Sequence, residues 1–378
     1  MHDANLIKVK DSGRARNEGL DQLRGLLAFT VMLYHLVSWC KVTLNPFWGN
    51  ALDLAGVYFV STFYVLSGTA MLIAYGPRPF SRETMIDFAV RRVFRIMPMF
   101  WLVTAFAFIN MCVGIIPFPQ IFYPANILLN LSGLFSWIRP HAYFSAGMWS
   151  IGNELAFYTI FPLFLWGLRS PRFFTTACIA VIVGSFAWTE AHLNSGTKLV
   201  DQWRLYISPL NQIGFFMAGL LLGRLVIVRR MMTGKTHILI FCIGLAVFLI
   251  ISVFVDKNNS VTGFSKQVLF ADCLLLCLGA AGTAATGQAG RVLKVLGQLS
   301  YSLYLLHWPV YLWVSSMSAE LEGGWKILIV ATATSALSYI SFYAIEKPCM
   351  EFGAMCSRWL RSMCPSRTVT LRTETQSS

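Results

Sequence analysis

Apolar runs long enough to cross a bilayer recur along this chain, more of them than one soluble core of this length can bury. A helix needs about 20 mostly apolar residues to span the hydrocarbon layer. Between breaks of Pro, Gly and charge, ten such runs fall at about residues 23–39, 52–75, 93–113, 148–168, 173–188, 206–228, 237–255, 267–285, 296–315 and 325–345. Of the 378 residues, 56% are hydrophobic and only 12% charged, about half the charge of an ordinary soluble domain. The expectation is an all-α membrane protein, a bundle of about ten transmembrane helices. A tail at residues 1–22 precedes the membrane domain at 23–345, and a basic tail at 346–378 follows it.

Charge orients the bundle. A formal net charge of +13 would point to nucleic acid in a soluble protein. Here the Lys and Arg sit between apolar runs, where they set topology and meet anionic membrane lipid, so no nucleic-acid partner is expected. With the amino terminus in the cytoplasm, about 23 of the 30 Lys and Arg fall on the cytoplasmic side and about 7 on the other. Both termini are therefore expected in the cytoplasm. About 20 polar residues precede the first run and no small-residue cleavage site follows it, so the first helix is expected to remain as an uncleaved anchor. The nine cysteines lack zinc-ligand spacing and read as small hydrophobes or reduced thiols, with no metal site. The longest outer connection, about residues 114–147, is rich in Pro and aromatics (Pro117, Phe118, Pro119, Phe122, Tyr123, Pro124, Trp137), as an interfacial or re-entrant segment would be.

Ionisable groups inside spanning helices are costly and tend to mark function. Arg24 and His35 lie eleven residues apart on the first helix, within about 20° of one face and about 16 Å apart along the axis. The fourth helix places Ser150, Asn153, Glu154 and Tyr158 on one face, beside Trp149. On the ninth, Ser300, Tyr304 and His307 form one polar stripe. His35, Glu154 and His307 share one depth, which predicts a common polar cavity; for each, a structural hydrogen-bond clamp is the alternative. The cluster Arg91, Arg92 and Arg95 reads either as topology and headgroup contacts or as a phosphate clamp, since Arg suits bidentate phosphate contacts.

In order along the chain, these segments resemble the family-3 acyltransferases, membrane O-acyltransferases of bacterial surface and secreted glycans. Leu20-Asp21-Gln22-Leu23-Arg24-Gly25 followed by His35 is similar to the family's opening motif, an Arg and a His with ten residues between them. Phe63-Tyr64-Val65-Leu66-Ser67-Gly68 resembles its second-helix motif. Arg91-Arg92-Val93-Phe94-Arg95-Ile96-Met97-Pro98 resembles its Arg-x-x-Arg element, and Trp149-Ser150 with Glu154, Phe157 and Tyr158 its fourth-helix motif. Ser300-Tyr301-Ser302-Leu303-Tyr304-Leu305-Leu306-His307-Trp308-Pro309 and Glu346-Lys347-Pro348 resemble the closing motifs. The resemblance covers about residues 20–348. Gln22 departs from it where Gly is more common, and Thr69 where an aromatic is.

The resemblance implies an O-acyltransferase of the bacterial cytoplasmic (inner) membrane, moving an acyl group from acyl-CoA, acetyl-CoA above all, to a carbohydrate hydroxyl. His35 would be the general base or a transient acyl carrier. Glu154 or His307 would orient it or donate to the oxyanion. Arg24, Arg91, Arg92 and Arg95 would hold the donor's phosphates. Asp21, Ser67, Trp149, Ser150, Asn153, Tyr158, Ser300, Tyr301 and Tyr304 would shape the site. The acceptor would be a lipid-linked or secreted glycan such as O-antigen, exopolysaccharide or lipochitooligosaccharide, and acetyl stands beside succinyl as the group moved. Some members carry an appended extracytoplasmic hydrolase-like domain; without one, the bundle is expected to perform the whole transfer. The rival is a transporter or exporter of an acylated glycan or small metabolite, against which the lack of an internal repeat weighs.

Overall fold

The computed structural model describes residues 17–115, 124–228, 234–317 and 320–363. Pro117, Phe118, Pro119, Phe122 and Tyr123 of the aromatic outer connection lie outside the described residues, as do the first sixteen residues and the end of the basic tail. The helices are α1 (Glu18–Trp39), α2 (Pro46–Tyr75), α3 (Arg82–Cys112), the short α4 (Pro124–Ser132) and α5 (Phe135–Ile138), α6 (Met148–Gly167), α7 (Pro171–His192), the single turn α8 (Trp203–Tyr206), α9 (Pro209–Val228), α10 (Gly234–Phe254), α11 (Gly263–Ala281), α12 (Gly287–Met317) and α13 (Gly323–Ser341). A π-helical turn, Phe342–Glu346, joins α13 to α14 (Lys347–Ser362). Among the described residues there is no strand. Each of the ten apolar runs lies mainly in helix, and the chain is an all-α membrane protein.

Seven helical stretches among the described residues are long and apolar enough to cross a membrane: α2, α3, α7, α8 with α9, α10, α11, and α13 continued through α14. The three long helices outside that set are α1, α6 and α12. Their apolar character is diluted by the polar residues they carry, among them Arg24, Glu154 and His307. The outward faces of α7, α10 and α13 show Ile179, Val183, Leu239, Ile250, Leu328 and Ile340, an apolar belt that suits lipid rather than water.

Glycine sets two close helix crossings. A Cβ on Gly25 would stand 2.4 Å from the Gly297 nitrogen, and one on Gly297 would stand 2.2 Å from the Asp21 carbonyl oxygen. The α1 and α12 backbones therefore touch, as small residues allow in membrane bundles. The same holds between α2 and α9, where a Cβ on Gly68 would meet the Phe216 carbonyl at 2.3 Å. Both departures from the family pattern serve as clamps beside these crossings. Gln22 accepts from the Ala285 N–H at 2.7 Å and donates to the Ala285 carbonyl at 3.0 Å, and the Thr69 hydroxyl lies 3.1 Å from the Gly219 carbonyl.

Several helices run past their apolar runs, α3 furthest. Ser81 caps α3 by accepting from the Thr84 N–H at 3.2 Å, so that helix starts eleven residues before the apolar run. Its polar first turns pack on α14, where Ser357 donates to Asp87 at 2.7 Å. The basic tail thus opens with a helix docked on the protein.

Away from these contacts, α7, α9 and α11 are knotted by a buried lysine. Lys266 Nζ donates to Thr189 Oγ1 at 2.5 Å and to Asn211 Oδ1 at 2.8 Å, and lies 5.1 Å from the Phe186 ring centre. Asn211 Nδ2 in turn donates to the Tyr206 carbonyl at 2.7 Å.

Candidate functional site

Five helices, α1, α2, α3, α6 and α12, enclose a chamber of about 750 Å³, its open mouth included. Arg24 comes from α1, Ser67 from α2, Arg92 and Arg95 from α3, Glu154 and Tyr158 from α6, and Ser300, Tyr301 and Tyr304 from α12. A second chamber, about 520 Å³ by the same measure, is lined by Tyr34, His35, Trp149, Trp203, Tyr206 and Tyr304. Val60 and Tyr304 line both. The two chambers are therefore neighbours across these side chains, with the guanidinium groups on one side and the imidazole on the other.

His35 is held by a second histidine. His307 Nε2 lies 3.1 Å from His35 Nδ1, and His307 Nδ1 lies 3.2 Å from the Leu303 carbonyl oxygen. A carbonyl only accepts, so His307 Nδ1 carries the proton of the neutral ring and its Nε2 accepts. His35 Nδ1 then donates, which leaves the lone pair on His35 Nε2. Proton positions are inferred here from the partners. Trp39 stacks on both imidazoles, with ring centres 4.9 Å from His35 and 5.5 Å from His307. A neutral imidazole fixed in this tautomer, with one nitrogen open, has the electronic form of a general base.

The first chamber is cationic. Arg24 pairs with Asp21 at 2.8 Å. Arg92 and Arg95 have no carboxylate within ion-pair distance among the described residues, and Arg92 Nε is buried with no hydrogen-bond partner. Arg92 lies 5.6 Å from the Tyr158 ring centre. Arg95 Nη1 reaches only the Met350 sulfur, at 3.9 Å. A buried guanidinium donor left open like that of Arg92 fits an anion such as a phosphate ester. Among the described residues no group of three His, Cys, Asp or Glu is arranged to hold a metal ion, and all eight described cysteines are free.

The structure sorts the candidate residues. His35 and His307 meet, and Arg24, Arg92 and Arg95 share the first chamber. Arg91 does not line it: its Nε donates to Asp87 at 2.6 Å, and Arg78 bonds the same carboxylate at 2.8 Å. The Asp87–Arg91 spacing of four residues was the sequence signal for that pair. Glu154 lies with the arginines, not with His35. It accepts from Ser67 at 2.6 Å and from the Tyr158 hydroxyl. Asn153 is a clamp outside both chambers, accepting from Ser136 at 2.5 Å and donating to the Ile207 carbonyl at 2.9 Å. Ser150 sits 2.7 Å from the Tyr304 hydroxyl, and Tyr301 donates to the Ile96 carbonyl at 2.8 Å. Trp149 belongs to the His35 chamber.

Several site residues lie outside the motifs. Tyr34, Trp203 and Tyr206 complete the His35 chamber; the Trp-x-x-Tyr spacing of the last two was the only hint. Glu346, which opens the last motif, lines neither chamber; buried at the π-turn, it accepts from Ser302 in the middle of the α12 motif.

A family model described as an acyltransferase domain matches residues 17–345. The chain is 26% identical over 371 residues to YrhL of Bacillus subtilis, covering 87% of this chain and 54% of that protein. It is 24% identical over 372 residues to the O-acetyltransferase OatA of Staphylococcus aureus, covering 89% of this chain and 57% of the relative. It is also 24% identical over 374 residues to the peptidoglycan O-acetyltransferase OatA of Listeria monocytogenes, covering 88% and 56%. The chain thus spans little more than half the length of these curated relatives. No solved structure matches it. With the family model covering all five chamber-forming helices, the chain belongs to the family-3 acyltransferases.

Proposed function

We propose that this chain is a membrane O-acetyltransferase that takes an acetyl group from acetyl-CoA at the cytoplasmic face and delivers it to a glycan hydroxyl at the opposite face. The observation that carries this reading is the pair of neighbouring chambers that share Val60 and Tyr304, with Arg24, Arg92 and Arg95 on one side and His35 on the other. Positive residues favour the cytoplasm, so the arginine chamber opens toward the compartment where acyl-CoA is made. The relatives named as O-acetyltransferases supply the acetyl group and a cell-wall glycan as the first choices of acyl and acceptor.

In this mechanism Arg92 and Arg95 bind the donor's phosphates, and Arg24 is held toward the same space by Asp21. His35 Nε2 removes the proton of the acceptor hydroxyl as that oxygen bonds to the acyl carbon. His307 accepts from His35 Nδ1 and stabilises the imidazolium that forms. When the carbon–sulfur bond breaks, His35 returns the proton to the departing thiolate, leaving an acetyl ester and a free thiol. The same Nε2 lone pair would attack directly if an acyl-imidazole formed first. Glu154 sets Tyr158 and Ser67 around the donor rather than acting on His35.

The test uses the protein in sealed vesicles with acetyl-labelled acetyl-CoA on the arginine side and extracted glycan on the other. Alkali-labile label in the glycan is the expected result. Unaltered glycan, with movement of substrate across the vesicle wall instead, would replace this reading with the transporter.

A further inference from the structure

Beyond the His35 chamber, at the end of the bundle away from the arginines, a third hollow of about 650 Å³ lies between the end of α1 and the start of α2. Tyr34 lines both this hollow and the His35 chamber. The ring of Tyr34 lies flat against α2 because Gly56 has no side chain; a Cβ there would stand 2.2 Å from the ring. Tyr34 is therefore a thin partition, its ring centre 5.0 Å from that of His35.

The rim of the hollow is polar. Ser38 and Lys41 come from the end of α1 and the turn after it, and Asp53 from α2. Lys41 occupies the left-handed backbone region, with φ of 54°, at a position after a helix end that Gly usually takes. Among the described residues it has no carboxylate within ion-pair distance. Asp53 Oδ2 accepts from Lys257 Nζ at 2.9 Å, with both side chains about a third exposed, which leaves Asp53 Oδ1 open. Burial opposes the charge on Lys257, but the Asp53 carboxylate more than offsets it and holds the ammonium above the ordinary lysine range. The Asp53 carboxylate is thus fixed in direction at the rim.

We propose that this hollow is an acceptor subsite, which holds one sugar ring of the glycan against Tyr34 while the adjoining sugar of the same glycan, in the His35 chamber, presents its hydroxyl to His35. A pyranose has an apolar C–H face and a ring of hydroxyls, and the hollow offers an aromatic face with a hydroxyl, an ammonium and an oriented carboxylate around it. The inference rests on the reading that the His35 side is the acceptor side.

Binding of a fluorescently labelled N-acetylglucosamine tetrasaccharide to the protein in nanodiscs tests it, with CoA binding measured on the same samples. Asp53→Asn and Tyr34→Leu should each weaken tetrasaccharide binding about tenfold or more, while Tyr34→Phe, which keeps the ring, should retain it. Unchanged CoA binding shows that each variant is folded. His35→Ala should bind the sugar normally and fail only in transfer, which separates this subsite from the proposed chemistry. Equal sugar binding by wild type, Asp53→Asn and Tyr34→Leu, or no saturable binding by wild type, would overturn the subsite even if acetyl transfer were intact.

Discussion

Two of the polar clusters buried in this apolar bundle differ in what they leave open. Around Lys266 the bonding capacity is spent within the protein: the ammonium meets Thr189, Asn211 and the face of Phe186. At His35 and the arginines it is not. The orientation of His307 leaves His35 Nε2 without an assigned proton, and Arg92 Nε has no partner. A buried donor left unpaired is costly, and one retained in a cavity has a ligand to wait for. Saturation separates a structural knot from a site where burial alone does not.

Variants on the two clusters should therefore fail differently. Replacing Arg92 and Arg95 together by Gln removes two charge-assisted contacts; donor KM should rise by about 100-fold or more, with the melting temperature little changed. A donor KM within a few-fold of wild type would show that the open guanidinium groups wait for something else. Truncating His307→Ala should lower kcat about 100-fold with donor KM held. His307→Gln, which can still accept from His35 Nδ1, should lose less, and an equal loss would argue that His307 acts by packing alone.

On the saturated side, Asn211→Leu leaves the Lys266 ammonium with one acceptor fewer and should cost about 3 kcal/mol of stability. Activity per folded molecule should stay at the wild-type level. Adding Lys266→Met should restore part of that stability, and failure to do so would place the defect elsewhere in the α7–α9–α11 packing. Smallest of all, Arg91→Gln should change donor KM by less than about 2-fold, because Arg91 is already spent on Asp87. A large rise would bring Arg91 back into the donor site.

Much of this was legible before any coordinates. The all-α membrane bundle follows from apolar runs bounded by Pro, Gly and charge, and the placing of Arg24 and His35 on one helix follows from the first of those runs. Which helices touch is a property of packing, so the pairing of His35 with His307 was not readable from one chain. Depth alone misled for Glu154. Helix α6 begins beside Gly147, whose φ of 86° only glycine adopts readily, and Trp149 reaches the His35 chamber. Glu154, five residues on, lies about 7.5 Å deeper along the axis, and so falls among the arginines. Lys266 is buried because α7 and α9 supply its partners across a gap of more than fifty residues, which no local pattern announces. The role of Glu346 depends on a π-turn that residue spacing does not announce.

The most direct test is transfer of label from acetyl-CoA to glycan in membranes holding equal amounts of wild-type and His35→Ala protein, with CoA binding measured in both. Label in the wild-type glycan, at least 100-fold less with His35→Ala, and equal CoA binding is the predicted result. Equal labelling by the two proteins would remove His35 from the chemistry and, with it, the assignment of the two chambers.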